Sequence, residues 1–191
     1  MMPRWLAWAI GAVVLACAAG LVAVLAFGHG GDSGPAPGDA AALTAYTAAL
    51  RSPTSEGGRI VEQEMKPSLG DFERGSLDAG GFVTRARGWQ LGLARVRDQI
   101  DAIPTPPAIA AAHGLFHLAM QAYIDAARLF EEAGLAPASQ RPAALARAVT
   151  AAENADGDFD RAAAVVQSAL RAAGLPTDHE LPDVTPSAAA S

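Results

Sequence analysis

The sequence predicts an all-α protein: an N-terminal transmembrane helix, a flexible linker, an antiparallel helical bundle of about four helices, and a disordered C-terminal tail. Three observations predict it. Residues 5–27 form a run of 23 residues without a charge. Apolar residues then recur at alternating spacings of four and three over long stretches, the helical period. No segment alternates apolar and polar residues, and no hairpin dipeptide joins two β-branched runs, so nothing signals a strand.

The apolar run Trp5–Phe27 rises about 34 Å as a helix, at roughly 1.5 Å per residue, and a bilayer core measures about 30 Å. Residues 1–4 precede it and include Arg4; no Lys or Arg follows before Arg51. The excess of positive charge before the run places the N-terminus in the cytoplasm and the C-terminal domain outside. Trp5 and Trp8 suit the cytoplasmic interface, where an indole N–H stays wet. Two other readings end in the same compartment. Val14-Leu15-Ala16-Cys17 resembles a lipoprotein signal ending at Cys17, and Ala16-Cys17-Ala18 resembles a cleavage site. Both would have the chain turn polar near Cys17, yet it stays apolar to Phe27, so an uncleaved anchor is the reading adopted. Four residues on the cytoplasmic side leave no room for an enzyme or relay there.

Residues 28–38 are Gly, Pro, His, Asp, Ser and Ala, the composition of a flexible linker. Asp39 is placed to cap a first helix through about Arg51, with Leu43, Tyr46 and Leu50 on one face, and Pro53 to end it. Residues 54–81 are broken by Gly57-Gly58, Pro67, Gly70, Gly75 and Gly80-Gly81, and are expected to form two short helices with turns. Phe82, Ala86, Trp89, Leu93, Val96, Ile100 and Ile103 then make a seam that Pro104 ends. Thr105 is expected to cap the next helix with Pro106 in its first turn. Its seam is Ile109, His113, Phe116, Met120, Tyr123, Ala127 and Phe130, and Gly134-Leu135 with Pro137 reads as a glycine-terminated stop. The last helix is expected from about Arg141 to Ala173. Its seam is Leu145, Val149, Ala152, Asp156, Phe159, Ala163, Val166, Leu170 and Ala173, and Gly174-Leu175-Pro176 closes it the same way. Short connections make these long helices antiparallel neighbours, so residues 39–175 form the bundle and residues 176–191 the tail.

Composition narrows the function. Without Arg4, 13 of the 14 basic residues face 20 acidic ones, a formal net charge of −7. Such a domain does not suit nucleic acid or an anionic lipid surface. The single cysteine, Cys17, lies in the apolar run, so the domain holds no disulfide, thiolate metal site or thiol nucleophile. The chain carries 46 alanines and one lysine, Lys66; alanine favours helix and lets helix axes approach closely.

Two clusters carry chemistry. His113 and His117 lie four apart on one helix, where they could share a metal ion. Two ligands are half a site, however, and His113 sits on the seam, where a core histidine bonded to a neighbouring helix is the plainer reading. The second cluster is Glu153-Asn-Ala-Asp156-Gly-Asp158-Phe-Asp160-Arg161. It fails as a calcium loop, because the sixth and twelfth positions hold Arg161 and Gln167 where Gly and Glu are required. Asp156 occupies a seam position and needs a donor such as His113, Tyr123 or an arginine, unless the helix kinks at Gly157 and turns it to water. Arg85, Arg87, Arg95 and Arg97 form a basic stretch expected to make solvated ion pairs. No nucleophile–base motif and no phosphate-cradling glycine loop is present, and no cofactor is implied.

The stretch from Arg95-Val-Arg-Asp-Gln-Ile100 through Pro104-Thr-Pro-Pro107, His113 and Tyr123-Ile-Asp-Ala-Ala127 is similar to uncharacterised Ala-rich, membrane-anchored or lipoprotein-type helical proteins of actinomycetes. So is the closing Asp156-Gly-Asp-Phe159-Asp160 helix with Gly174-Leu175. The resemblance covers residues 40–175 and implies the fold and the envelope location; it implies no activity. The function expected is that of a non-catalytic membrane-anchored envelope protein, held in the bilayer by residues 5–27, whose bundle meets a protein partner in or on the membrane. The alternative is a bundle that binds a metal or small ligand for uptake or sensing, with His113, His117, Asp156 and Asp160 as ligands.

Overall fold

A computed structural model describes residues 37–177, with side chains from Asp39 onward. The expected span 5–27 lies outside the described residues, as do most of the linker and residues 178–191 of the tail. Among the described residues every regular element is helical, and no helix is long and apolar enough to cross a membrane.

The first wall is one rod rather than a helix and two fragments. Helix α1 runs Pro37–Arg59, passes without a turn into a π-helical segment Ile60–Met65, and continues as α2, Lys66–Glu73. Three expectations are corrected here. The helix starts at Pro37, two residues inside the expected linker, and Asp39 lies in its first turn rather than at its cap. Pro53 sits inside α1, not at its end. A proline there removes one N–H and crowds the carbonyl one turn back. Its cost is offset because Pro53 and Thr54 are buried against the bundle, and the Thr54 hydroxyl donates to the Leu50 carbonyl at 2.8 Å. Gly57-Gly58 does not break the rod either: a Cβ at Gly57 would lie 3.5 Å from Val96 and 3.7 Å from Met120, so this glycine is where α1 comes closest to them.

The π segment has a local cause. Pro67 follows it, and in a regular α-helix its ring would strike the carbonyl of Gln63. Widening the turn relieves that clash, and the Lys66 N–H reaches back five residues to the Val61 carbonyl. The rod ends where Gly75 takes φ +75°, and the N–H groups of Ser76 and Leu77 bond to the Asp71 carbonyl at 2.9 and 3.1 Å.

Helix α3, Ala79–Asp101, is capped by the Asp78 carboxylate, which accepts from the Gly81 N–H at 2.6 Å. Its expected seam is correct through Phe82, Ala86, Trp89, Leu93, Val96 and Ile100, all buried, while Ile103 lies past the end of α3 and is only partly buried. Thr105 does not cap the next helix; its hydroxyl bonds the Ile103 carbonyl. A 3-10 turn Pro107–Ile109 leads instead into α4, Ala110–Leu135. Gly134 is not a terminator. It is a buried helical residue, and a Cβ there would stand 2.7 Å from Val83 and 3.3 Å from Phe82. The glycine is required by the contact with α3, and α4 ends when Ala136, ahead of Pro137, turns extended.

Helix α5, Arg141–Ala172, runs straight through Gly157. Its C-terminus is as expected: Gly174 takes φ +66°, the Leu175 N–H bonds Leu170 at 2.9 Å and the Gly174 N–H bonds Arg171 at 3.0 Å, a Schellman pair. Its expected seam holds at Leu145, Phe159, Val166 and Leu170, all buried, and shifts by one residue at three positions between them. Ala148, Ala155 and Ala162 are fully buried, while Val149, Asp156 and Ala163 lie partly covered beside them. Alanine has no bulk to hold helices apart. Buried alanines on both α4 and α5 bring the two axes together, so the centre of the contact runs through the small residues.

Helix α4 packs against α3 on one side and α5 on the other, and α1 closes on α3. The core is one cluster that includes Trp89, Leu93, Val96, Phe116, Met120, Tyr123, Phe159, Val166 and Leu170, the large residues expected to meet there. Phe72 stacks on Phe82 with centroids 4.2 Å apart, and Phe82, Trp89 and Phe130 meet edge to face.

Candidate functional site

The first turns of α4 face α1, and His113 meets Tyr46 across that contact. The Tyr46 hydroxyl lies 3.1 Å from His113 Nδ1, and the rings are edge to face with centroids 5.9 Å apart. Tyr46 is buried, and burial pushes its phenol up to about 12. His113 is thus bonded to a neighbouring helix as expected, but it is partly buried at the edge of the core rather than inside it. One turn later His117 turns to α3 instead, with Nδ1 2.9 and 3.0 Å from the Asp101 carboxylate in an exposed pair. A shared helix face therefore did not give the two imidazoles a shared partner.

Asp156 finds the donor its position required. The Tyr123 hydroxyl on α4 donates to its carboxylate. The Tyr123 phenol is held far above its ordinary value, first by burial, then by the charge and hydrogen bond of Asp156, with further contributions from Asp160 and Glu62. The π segment thus brings Glu62 toward a tyrosine that α5 already surrounds with carboxylates. Glu62 is also paired with Lys66. Nothing in the sequence near Glu62 signalled this neighbourhood, because it arises from the unbroken rod that Pro53 and Gly57-Gly58 argued against.

The structure therefore does not gather His113, His117, Asp156 and Asp160 into one ligand set. Three of them are engaged on three different contacts, with Tyr46, Asp101 and Tyr123, and Asp160 contributes to the negative field at Tyr123. Among the described residues no group of three or more His, Cys, Asp or Glu is close enough to hold a metal. The rest of the acidic cluster is surface: Asp158 pairs with Arg161 one turn on, and Glu153 is exposed.

The basic stretch on α3 divides. Arg87 and Gln90 both donate to Glu131 of α4, at 2.7 and 2.8 Å, and these bonds hold the Glu131 carboxyl below its usual range. Arg97 pairs with Asp98 and reaches Gln121 at 2.8 Å. Arg85 is different, since its partner is the buried Ser68 hydroxyl of α2.

Among the described residues, two of the surface clefts adjoin these groups. One, about 350 Å³, lies beside the Tyr46–His113 pair and is walled by Ala42, Ala45, Ala49, Ile103 and Pro104. The other, about 310 Å³, lies between the rod and α3 and includes Arg85 and Trp89. Neither is legible in the sequence, because each joins segments apart in the chain. No protein-family model matches this chain, and no curated protein or solved structure matches it at a significant level.

Proposed function

We propose that this chain is a non-catalytic, membrane-anchored envelope protein whose helical bundle serves as an extracytoplasmic interaction module for a protein in or on the membrane. The observation that carries the reading is the uncharged 23-residue run Trp5–Phe27, with Arg4 before it and no basic residue after it until Arg51. The non-catalytic part is supported by what the titratable side chains do. His113, His117 and Asp156 each hold two helices together through a named partner.

Two measurements test it. Intact mass of the membrane-extracted protein should match a chain that keeps residues 5–27. A mature chain starting at Cys17 with added acyl mass would replace the anchor with a lipid, and one starting near Ala19 or Phe27 would remove the anchor. Cross-linking mass spectrometry in native membranes should then join residues of the bundle to a second membrane protein. Cross-links confined to this chain would overturn the interaction reading.

A further inference from the structure

The cleft between the rod and α3 has the parts of a ligand site. Its volume, about 310 Å³, is at the small end for such clefts. The rod supplies Glu64, Pro67 and Ser68; α3 supplies Arg85, Gly88 and Trp89. Its two charged residues are not equivalent. Glu64 is paired with Arg59, which is not part of the lining. Arg85 donates one N–H to Ser68 Oγ at 2.8 Å, and no carboxylate among the described residues pairs with it. A guanidinium has five N–H donors, so most of them remain for a ligand.

Two further features fit. Ser68 is 2 % exposed and belongs to the other wall, so its hydroxyl fixes the Arg85 guanidinium across the cleft before anything binds. Trp89 is also 2 % exposed, held edge-on by Phe82 and Phe130, and among the described residues its indole N–H meets no acceptor. Between Arg85 and Trp89 stands Gly88, where a Cβ would meet nothing within 4 Å. Alanine is the better helix former, so this glycine leaves open space that packing does not demand.

We propose that this cleft binds a small carboxylate-bearing molecule with a flat apolar body. Arg85 takes the carboxylate, the fork of a guanidinium matching its two oxygens. The Trp89 N–H is the second donor, and Pro67 with the edge of Trp89 borders the space for the body. The Arg59–Glu64 pair keeps the one acidic group of the lining from repelling the ligand.

The test uses the full chain in detergent with 4-fluorobenzoate as probe, read by fluorine NMR. Saturable broadening that unlabelled benzoate reverses is expected. Arg85→Gln should weaken binding about tenfold or more, the loss of a charge-assisted pair. Gly88→Leu places a side chain in open space, so it should block the probe while the helical circular dichroism and unfolding midpoint stay unchanged. Arg147→Gln, exposed on α5, should bind as the parent does. If Arg85→Gln proves unfolded, Gly88→Leu decides. Absence of saturable binding, binding retained in Gly88→Leu, or equal binding of uncharged 4-fluorobenzyl alcohol would each overturn the proposal.

Discussion

Replacing Asp156 by alanine asks how much the Tyr123–Asp156 bond contributes. Tyr123 is 3 % exposed and its hydroxyl donates to a carboxylate that is only half buried. The two sides of the pair are therefore unequal. Removing the carboxylate strands a buried hydroxyl, at a cost of about 1–3 kcal/mol. Alanine gains back up to about 0.7 kcal/mol through its higher helix propensity. The net expectation is a loss of about 1–2 kcal/mol, which lowers the unfolding midpoint by about 3–8 °C in a domain of this size. Tyr123→Phe removes the donor instead, and water can solvate the half-buried carboxylate, so the loss should be smaller, near 1 kcal/mol. The double variant isolates the pair, and a coupling of about 0.5–1.5 kcal/mol is expected. The assay is urea or thermal unfolding of the four proteins, followed by circular dichroism. A neutral or stabilising Asp156→Ala, with coupling near zero, would show that the carboxylate faces water and that the bond does not hold α4 to α5.

Three further outcomes are expected. Gly134→Ala should destabilise by about 1–3 kcal/mol in denaturant unfolding, because its Cβ would stand 2.7 Å from Val83, whereas Gly157→Ala, with nothing within 4 Å, should stabilise by up to about 1 kcal/mol. Trp89→Ala should cost about 3–5 kcal/mol in the same experiment, since the indole is buried among Phe82 and Phe130. For Tyr46, burial keeps the phenol protonated up to about 12, while the unfolded chain loses that proton near 10. The native state thus binds more protons between those values, and stability falls as pH rises through this window, by about 2–3 kcal/mol from this group. Tyr46→Phe should remove that part of the alkaline loss in unfolding titrations between pH 9 and 12.

Helices α3, α4 and α5 and the seam of α3 follow from the sequence alone, because a long stretch with a 3.6-residue apolar period has one face to bury and no other regular way to bury it. The Gly174 stop is likewise local: the glycine, the apolar Leu175 and Pro176 act within one turn. The need of Asp156 for a donor was also legible, since a seam carboxylate has to be paired or turned to water.

Tertiary structure decided the rest, and in each case a contact outweighed a local preference. Pro53 and Gly57-Gly58 favour a break, yet burial against the bundle keeps the rod helical, and Pro67 is accommodated by a π turn. Gly134 resembles a stop, but its role is to admit Val83 and Phe82. Between its large buried residues the seam of α5 passes through Ala148, Ala155 and Ala162 rather than Val149, Asp156 and Ala163, because close approach of two axes is a property of the pair of helices. Which donor met Asp156, which neighbours His113 and His117 took, and where Arg85 and Trp89 enclose a cleft all depend on residues distant in the chain. Local propensity and periodicity fix the helices and the faces they bury; only packing fixes which polar groups come together.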